Sequence, residues 1–329
     1  MPDWGEVLKE INGNLGQLAY QSNILKQQAS GMLDTVRRKY LQELRDHTGR
    51  NVIAYYSGFL SKPDVAQSEI NDEDKNGFMM TVHTIGAVDR RRGLDLILHT
   101  PGGSIAATES IVDYLHKMFK DDIHVIVPQI AMSAGTMIAC SCKEIWMARH
   151  SNLGPIDPHL RGYPAFGVRE EFKRAIKEVR SDPGAIPVWQ AILGRYGPTF
   201  LGQCENAIDW SKTFVEKQLE SVMFSGDAQA KVKAKKIVKK LTDYKGNKTH
   251  SRHIHFDELK AMGLKVKLIE DEPGQRLQDL VLTVHHCFMH TLMNTPTFKI
   301  IENHKGSAFV KQQVVQQIMV PQPQQSQGN

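Results

Sequence analysis

The sequence predicts an α/β protein with a mainly parallel sheet, an N-terminal helical arm and a helical C-terminal part. Two observations carry the prediction: short apolar runs begin at residue 51, and predicted helices at 105–119 and 133–142 lie between them. Strands that alternate with helices are joined by crossover connections, which gives parallel pairing. The apolar runs predict strands at 51–56 (NVIAYY), 94–100 (LDLILHT), 124–128 (HVIVP) and 144–149 (EIWMAR).

Helical patterns lie on both sides of this region. Over residues 4–47, apolar side chains recur at three- and four-residue steps, so we predict an amphipathic arm that packs on the domain or on a neighbouring subunit. Residues 162–240 are mostly helical in pattern, and a last amphipathic helix is expected at about 275–293. Residues 255–270 predict a short helix, a glycine stop and a strand.

These patterns divide the chain into three parts. We assign residues 1–50 to the arm and 51–295 to one α/β domain. Residues 296–329 form an extension whose glutamine-rich, proline-broken tail is expected to be disordered.

Composition excludes several classes of protein. A net charge of +5, from 41 basic and 36 acidic residues, is too small to predict nucleic-acid binding. Four cysteines in 329 residues do not form a disulfide framework, which favours a reducing compartment. The N-terminus lacks the pattern of a secretory signal, and no apolar run reaches the ~20 residues that span a bilayer. We expect a cytoplasmic protein.

The segment HTPGGSIAATES follows the second predicted strand and begins a helix. Gly102 and Gly103 carry no side chains above their amides, so a backbone N–H there can face a bound carbonyl or oxyanion. The alternative is an ordinary strand-to-helix turn.

The segment PQIAMSAGTMIA follows the next strand, and Ser133 stands where a helix of small residues begins. This position is typical of a nucleophile elbow, although Ala131 replaces the first glycine of G-x-S-x-G. The amide of Ala134 is then a candidate oxyanion donor. The alternative is that Ser133 only caps the helix.

Together the two segments resemble the Clp protease and signal peptide peptidase A group, most closely the serine dehydrogenase proteinases. The resemblance is strong over about 68–160, including SNLGPIDPHL, and returns weakly at 250–266. It implies a Clp protease/crotonase-like fold, a serine endopeptidase with Ser133 as nucleophile, and oxyanion-hole amides from Gly103 and Ala134. It also implies a peptide or protein substrate, a homo-oligomer and no cofactor.

The general base is less clearly indicated. The resemblance implies either a histidine, as in Clp proteases, or a lysine, as in signal peptide peptidases. Ile156 stands near the Clp histidine position and His159 lies three residues later. We therefore favour a Ser-Lys dyad with Lys173. The open alternatives are Lys177, Lys212, Lys217 and His159.

Three further features have mainly structural interpretations. Asp157, between two prolines, is expected to cap a turn, with a role in peptide orientation or subunit contact as the alternative. The group His285, His286, Cys287 and His290 lacks the pattern of a zinc site and is expected to pack in the interior. The lysine-rich helix at 231–240 is a solvated face or a surface for an acidic partner.

Two other functions remain possible from the sequence. A crotonase-type acyl-CoA enzyme shares the fold and the oxyanion hole but needs no serine nucleophile. A non-catalytic assembly subunit would have lost its base.

Overall fold

The computed structural model describes residues 23–247, 249 and 251–313, together with Lys9. The strands in this part of the chain are β1 (Asn51–Ser57), β2 (Leu94–His99), β3 (Ile123–Val127), β4 (Ile130–Ala131), β5 (Glu144–Met147), β6 (Asn152–Leu153), β7 (His159–Leu160), β8 (Tyr163–Pro164), β9 (Ile254–His255), β10 (Val266–Leu268), β11 (Thr297–Asn303) and β12 (Ala308–Gln312).

The helices are α1 (Asn23–Thr48), α2 (Glu73–His83), α3 (Ala87–Arg90), α4 (Ile105–Phe119), α5 (Ala134–Cys140), α6 (Ala165–Ser181), α7 (Ile186–Leu193), α8 (Phe200–Gln218), α9 (Ala230–Leu241), α10 (Tyr244–Asn247), α11 (Phe256–Met262) and α12 (Arg276–Asn294). A π-helical turn, Leu219–Met223, continues α8.

A central seven-stranded sheet has the order β10-β5-β3-β2-β1-β11-β12. The pairs from β10 to β1 are all parallel. The pairs that join β11 to β1 and to β12 are antiparallel. The prediction of a mainly parallel α/β sheet is thus confirmed.

The inner strands β1, β2 and β11 are buried along their whole length, which explains why β1 and β2 have largely apolar sequences. Successive side chains of β1 point to opposite faces. Ile53 and Tyr55 join the core that contains α2, α4 and α5. Val52 and Tyr56 join a second core, which is formed with α1 and α12.

Helix α1 packs against the α/β domain from Leu33 to Leu44. Leu41 and Leu44 are fully buried, and α1 packs against α12. The buried guanidinium of Arg37 donates to the Glu302 carboxylate on β11 and to Thr291 Oγ1 at 3.0 Å. Over residues 33–44, the predicted arm therefore packs against α12 of its own chain. Apart from Lys9, its residues 4–22 lie outside the described residues.

The C-terminal strands also belong to the central sheet. β11 pairs with β1 and β12 pairs with β11, although the sequence analysis assigned residues 296–313 to an extension outside the domain. The predicted disordered tail from residue 314 lies outside the described residues. Among those described, no helix combines the length and the apolar character that crossing a membrane requires.

A separate helical layer lies beside the sheet. α8 packs against α6, α9 and α5. A small core that includes Phe166, Phe200, Cys204 and Ile208 fills the space between α6 and α8. The mostly helical region predicted at 162–240 is confirmed, including a break after α6.

Candidate active site

The loop after β2 is held by a neighbouring segment of backbone. Ile70 N–H donates to the Gly102 carbonyl at 2.7 Å, and Ser104 N–H donates to the Ile70 carbonyl at 2.9 Å. Gly103, with φ of +155°, lies so close that a methyl group on it would come within 2.3 Å of Ile70 O. Only glycine fits at this position without moving backbone. Ser104 then caps α4, because its Oγ accepts from Ala107 N–H at 3.3 Å.

Ser133 lies at a sharp turn between β4 and α5. Its φ of +51° and ψ of −108° are unusual for a residue with a side chain. Such strain persists only where the surroundings enforce it, as in a nucleophile elbow. Here Met132 N–H donates to the Thr100 carbonyl at 3.0 Å, and Thr100 N–H donates to the Ile130 carbonyl at 3.2 Å. The Ser133 side chain makes no capping hydrogen bond, so it is not simply the N-cap of α5.

Two backbone amides flank this serine. A methyl group on Gly102 would lie 2.9 Å from Ser133 Cβ and 3.1 Å from Ala134 N, so the two loops are in contact. The amides of Gly103 and Ala134 donate to no other residue in the described chain. Backbone N–H donors without a protein acceptor are what an oxyanion hole requires.

Ser133 opens into a cavity of about 570 Å³. Its apolar wall includes Met137, Ile156, Leu160 and the half-exposed Trp210. Its titratable residues are Glu69 and His159.

His159 and Ser133 both line this cavity. His159 remains accessible to solvent, yet desolvation by neighbouring protein lowers the pKa of its imidazole. The nearby Glu69 carboxylate opposes this shift. An imidazole with a pKa below its ordinary value is neutral at pH 7 and can accept a proton.

The structure does not bring Lys173 to Ser133. The Lys173 side chain is 60% exposed and pairs with Glu170 at 3.0 Å on α6. It lines a different cavity from the one that contains Ser133. Lys177 and Lys217 are exposed, and Lys212 lines that same second cavity. Among the described residues, no lysine lines the Ser133 cavity.

A buried ion pair fixes the segment that holds the oxyanion loop (residues 100–104, after β2). Lys299 on β11 is fully buried and lies 2.9 Å from both carboxylate oxygens of Asp74. The same Nζ donates to the Glu69 carbonyl at 2.7 Å, and Tyr55 OH donates to Asp74 at 2.9 Å. Since Ile70 follows Glu69, this network fixes the segment that holds Gly102 and Ser104. Nothing in the sequence indicates this network, because Lys299 lies 166 residues from Ser133 in a strand with charged side chains.

A buried imidazole joins the ends of three segments. His99 Nδ1 lies 3.1 Å from the Ser57 carbonyl at the end of β1, and its Nε2 lies 3.1 Å from Gln129 Oε1. Burial lowers the pKa of His99 to about 4. The ring is therefore neutral at pH 7. It fixes Gln129, four residues before Ser133, to the strand that carries the oxyanion loop.

The histidines of α12 lie behind His99 in the interior. His285 Nδ1 lies 3.2 Å from Tyr56 OH, and burial holds the pKa of His285 well below 6.5. His290 and Cys287 are also buried. In the part of the chain that the structure describes, no group of three or more His, Cys, Asp or Glu side chains has an arrangement that could hold a metal ion.

Asp157 is buried beside the start of α6. One of its carboxylate oxygens accepts from Phe166 N–H at 3.4 Å, and burial raises its pKa to about 6. It lines a small separate cavity with Phe166 and Tyr244. This placement agrees with the turn-capping interpretation.

Comparison with known proteins gives one family. Residues 20–188 match the family described as ClpP-like SDH-type serine proteinase. An uncharacterised protein of Methanocaldococcus jannaschii is 29% identical over 287 residues, which are 84% of this chain and 91% of the relative. A second uncharacterised protein of that organism is 31% identical over 237 residues, 70% of this chain and 71% of the relative.

A shorter match falls on a protease subunit. The ATP-dependent Clp protease proteolytic subunit of Streptococcus sanguinis is 35% identical over 72 residues, which are 22% of this chain and 36% of that subunit. The family match covers the strands and loops that build the Ser133 site and agrees with the fold. The chain therefore belongs to the ClpP-like SDH-type serine proteinases.

Proposed function

We propose that this protein is a serine endopeptidase that cleaves peptide bonds through an acyl-enzyme on Ser133. The observation that carries the proposal is the setting of Ser133. Its backbone is strained, its side chain makes no capping hydrogen bond, and the nearby amides of Gly103 and Ala134 have no acceptor in the described chain. A peptide in the cavity would present its carbonyl carbon to Ser133 Oγ. The membership in a proteinase family supports this reading over the crotonase-type alternative.

The amides of Gly103 and Ala134 stabilise the negative charge that develops on the carbonyl oxygen during attack. Removing one donor of an oxyanion hole costs on the order of 10²–10³ in kcat. Gly103 reaches this geometry because Ile70 clamps the loop on both sides, through Gly102 and Ser104.

We assign the general base to His159 in place of Lys173. His159 lines the Ser133 cavity, whereas Lys173 is exposed and lines another one. Neutral His159 takes the proton from Ser133 Oγ as the hydroxyl attacks, and returns it to the amine that leaves. Water then releases the acyl group, with His159 again as base. The Glu69 carboxylate stabilises the imidazolium formed between these steps.

A fluorophosphonate probe followed by peptide mapping tests the nucleophile. We expect covalent labelling of Ser133 and none in Ser133→Ala, while both proteins give the same far-ultraviolet circular dichroism spectrum. Labelling that persists in Ser133→Ala contradicts the assignment. A folded wild-type protein that resists the probe would favour the crotonase-type enzyme or the non-catalytic subunit.

Three variants measured with one peptide substrate test the base. We expect His159→Ala to lose turnover, typically 10²–10⁴-fold for a general base. Lys173→Ala and Lys177→Ala should keep it, because neither side chain reaches the cavity. Inactive Lys173→Ala with active His159→Ala would restore the Ser-Lys dyad and refute our assignment.

A further inference from the structure

We propose that a second cavity, between α6, α8 and α9, binds the phosphoryl group of a small molecule. This cavity has a volume of about 590 Å³ and is separate from the one that contains Ser133. Five basic side chains line it: Arg169, Lys173, Lys212, Lys235 and Lys239. It explains a feature of the sequence that peptidase activity does not use, the lysine-rich helix at 231–240.

Two of these cations lie against the same aromatic ring and are partly desolvated. Arg169 Nε is buried and has no hydrogen-bond partner among the described residues. The guanidinium carbon of Arg169 lies 5.0 Å from the centre of the Phe166 ring, and Lys212 Nζ lies 5.2 Å from the same centre. A buried donor without a partner carries a free-energy cost that a bound acceptor would remove.

The surroundings of Lys212 also favour the binding of an anion. Burial, and then the positive charge of Arg169, lower the pKa of Lys212, and Lys173 adds to the shift. The carboxylates of Asp209 and Glu216 oppose it without cancelling it. The protein's own acidic groups thus leave this cluster short of negative charge, and an external anion would supply it.

The charge of the cavity matches that of a phosphate monoester. Its three acidic residues, Glu170, Glu216 and Asp243, leave two positive charges in excess. A phosphoryl group carries about −1.5 to −2 at pH 7. The arginine fork suits the tetrahedral oxygens of such a group.

The lysine-rich helix supplies the open side of the cavity. Lys235 and Lys239 are four residues apart on α9 and therefore share one face. Lys236 is exposed on the same helix but does not line the cavity. This difference provides a matched control of identical charge.

Isothermal titration calorimetry of the full-length protein with inorganic phosphate, at fixed ionic strength, tests the site. We expect saturable binding that Arg169→Gln and Lys212→Gln each weaken by about tenfold or more, because each removes a charged hydrogen-bond donor. Lys236→Gln should bind as the wild type does. No saturable binding, or an equal loss in the control, overturns the proposal.

Further titrations identify the source of the phosphoryl group. Glycerol phosphate that binds more tightly than inorganic phosphate indicates a phosphorylated metabolite, and the reverse order indicates free phosphate. Citrate that binds more tightly than both overturns the phosphoryl assignment. Ser133→Ala should bind as the wild type does, so the result does not depend on the proposed peptidase activity.

Discussion

Replacing Lys299 with methionine would remove the cation from a fully buried ion pair and keep a side chain of similar size. Lys299 and Asp74 are both inaccessible to solvent, and Lys299 Nζ lies 2.9 Å from each Asp74 oxygen. Removing one partner leaves an uncompensated buried charge, which costs about 3–5 kcal/mol in the free energy of unfolding. Since the free energy of unfolding of a whole domain is about 5–15 kcal/mol, Lys299→Met should still fold but with little stability left.

Urea unfolding, followed by circular dichroism, measures this cost. Adding Asp74→Asn to Lys299→Met removes the carboxylate charge that the single variant leaves without a partner. The free energy of unfolding that the double variant loses should therefore be smaller, by at least about 1 kcal/mol, than the sum of the losses of the two single variants. Lys305→Met is the control, because its pair with Asp89 is exposed and contributes at most about 1 kcal/mol. Strictly additive losses, or a cost for Lys299→Met no greater than the control's, would refute the reasoning. Without urea, Lys299→Met should also react more slowly with a fluorophosphonate, because the Glu69 carbonyl loses its anchor.

Three further measurements test the proposed site and the assembly. The midpoint of the acid-side loss of activity should lie below pH 6.5, since desolvation lowers the pKa of His159 and the proposed base acts when neutral; a steady rise toward alkaline pH would indicate a lysine. His99 should contribute a loss of about 3 kcal/mol in stability between pH 6.5 and pH 4, because the unfolded chain takes up a proton that this ring, with its pKa of about 4, does not. Urea unfolding measures this contribution as the difference between the declines of the wild type and His99→Gln, since His285 and Asp157 also titrate differently in the folded chain. Light scattering should give a multiple of 37.1 kDa for a homo-oligomer, and a monomer mass at micromolar concentration would contradict that prediction.

Much of the fold could be predicted from periodicity. β1 to β3 are buried on both faces almost throughout, so their sequences are mainly apolar, and α4 begins and ends where its pattern does. β11 was missed because Lys299 and Glu302 face buried partners inside the protein. A charged residue in a strand looks solvent-exposed until its partner is known, and these partners lie more than 200 residues away.

The candidate site divides in the same way. Ser133, Gly103 and Ala134 could be named because tight turns after adjacent strands leave local signals in glycine and small residues. The general base could not be chosen from the sequence. The position of the proposed base, His159, depends on how β7 and α6 fold back over the sheet. Sequence distance from Ser133 favoured Lys173, but α6 directs that residue to another cavity. Nothing local in the sequence marks Glu69 as a neighbour of His159.

The position of β11 between β1 and the edge strand β12 also sets the order in which the Ser133 site can be completed. β1 is the first strand of the described chain to be synthesised, yet one of its two edges stays open until residues 297–303 follow. Until then Lys299 cannot hold Glu69, and the loop that carries Gly103 lacks its support. A nascent chain on the ribosome, or a fragment that ends before β11, would therefore carry Ser133 while the Gly103 loop still lacks this support.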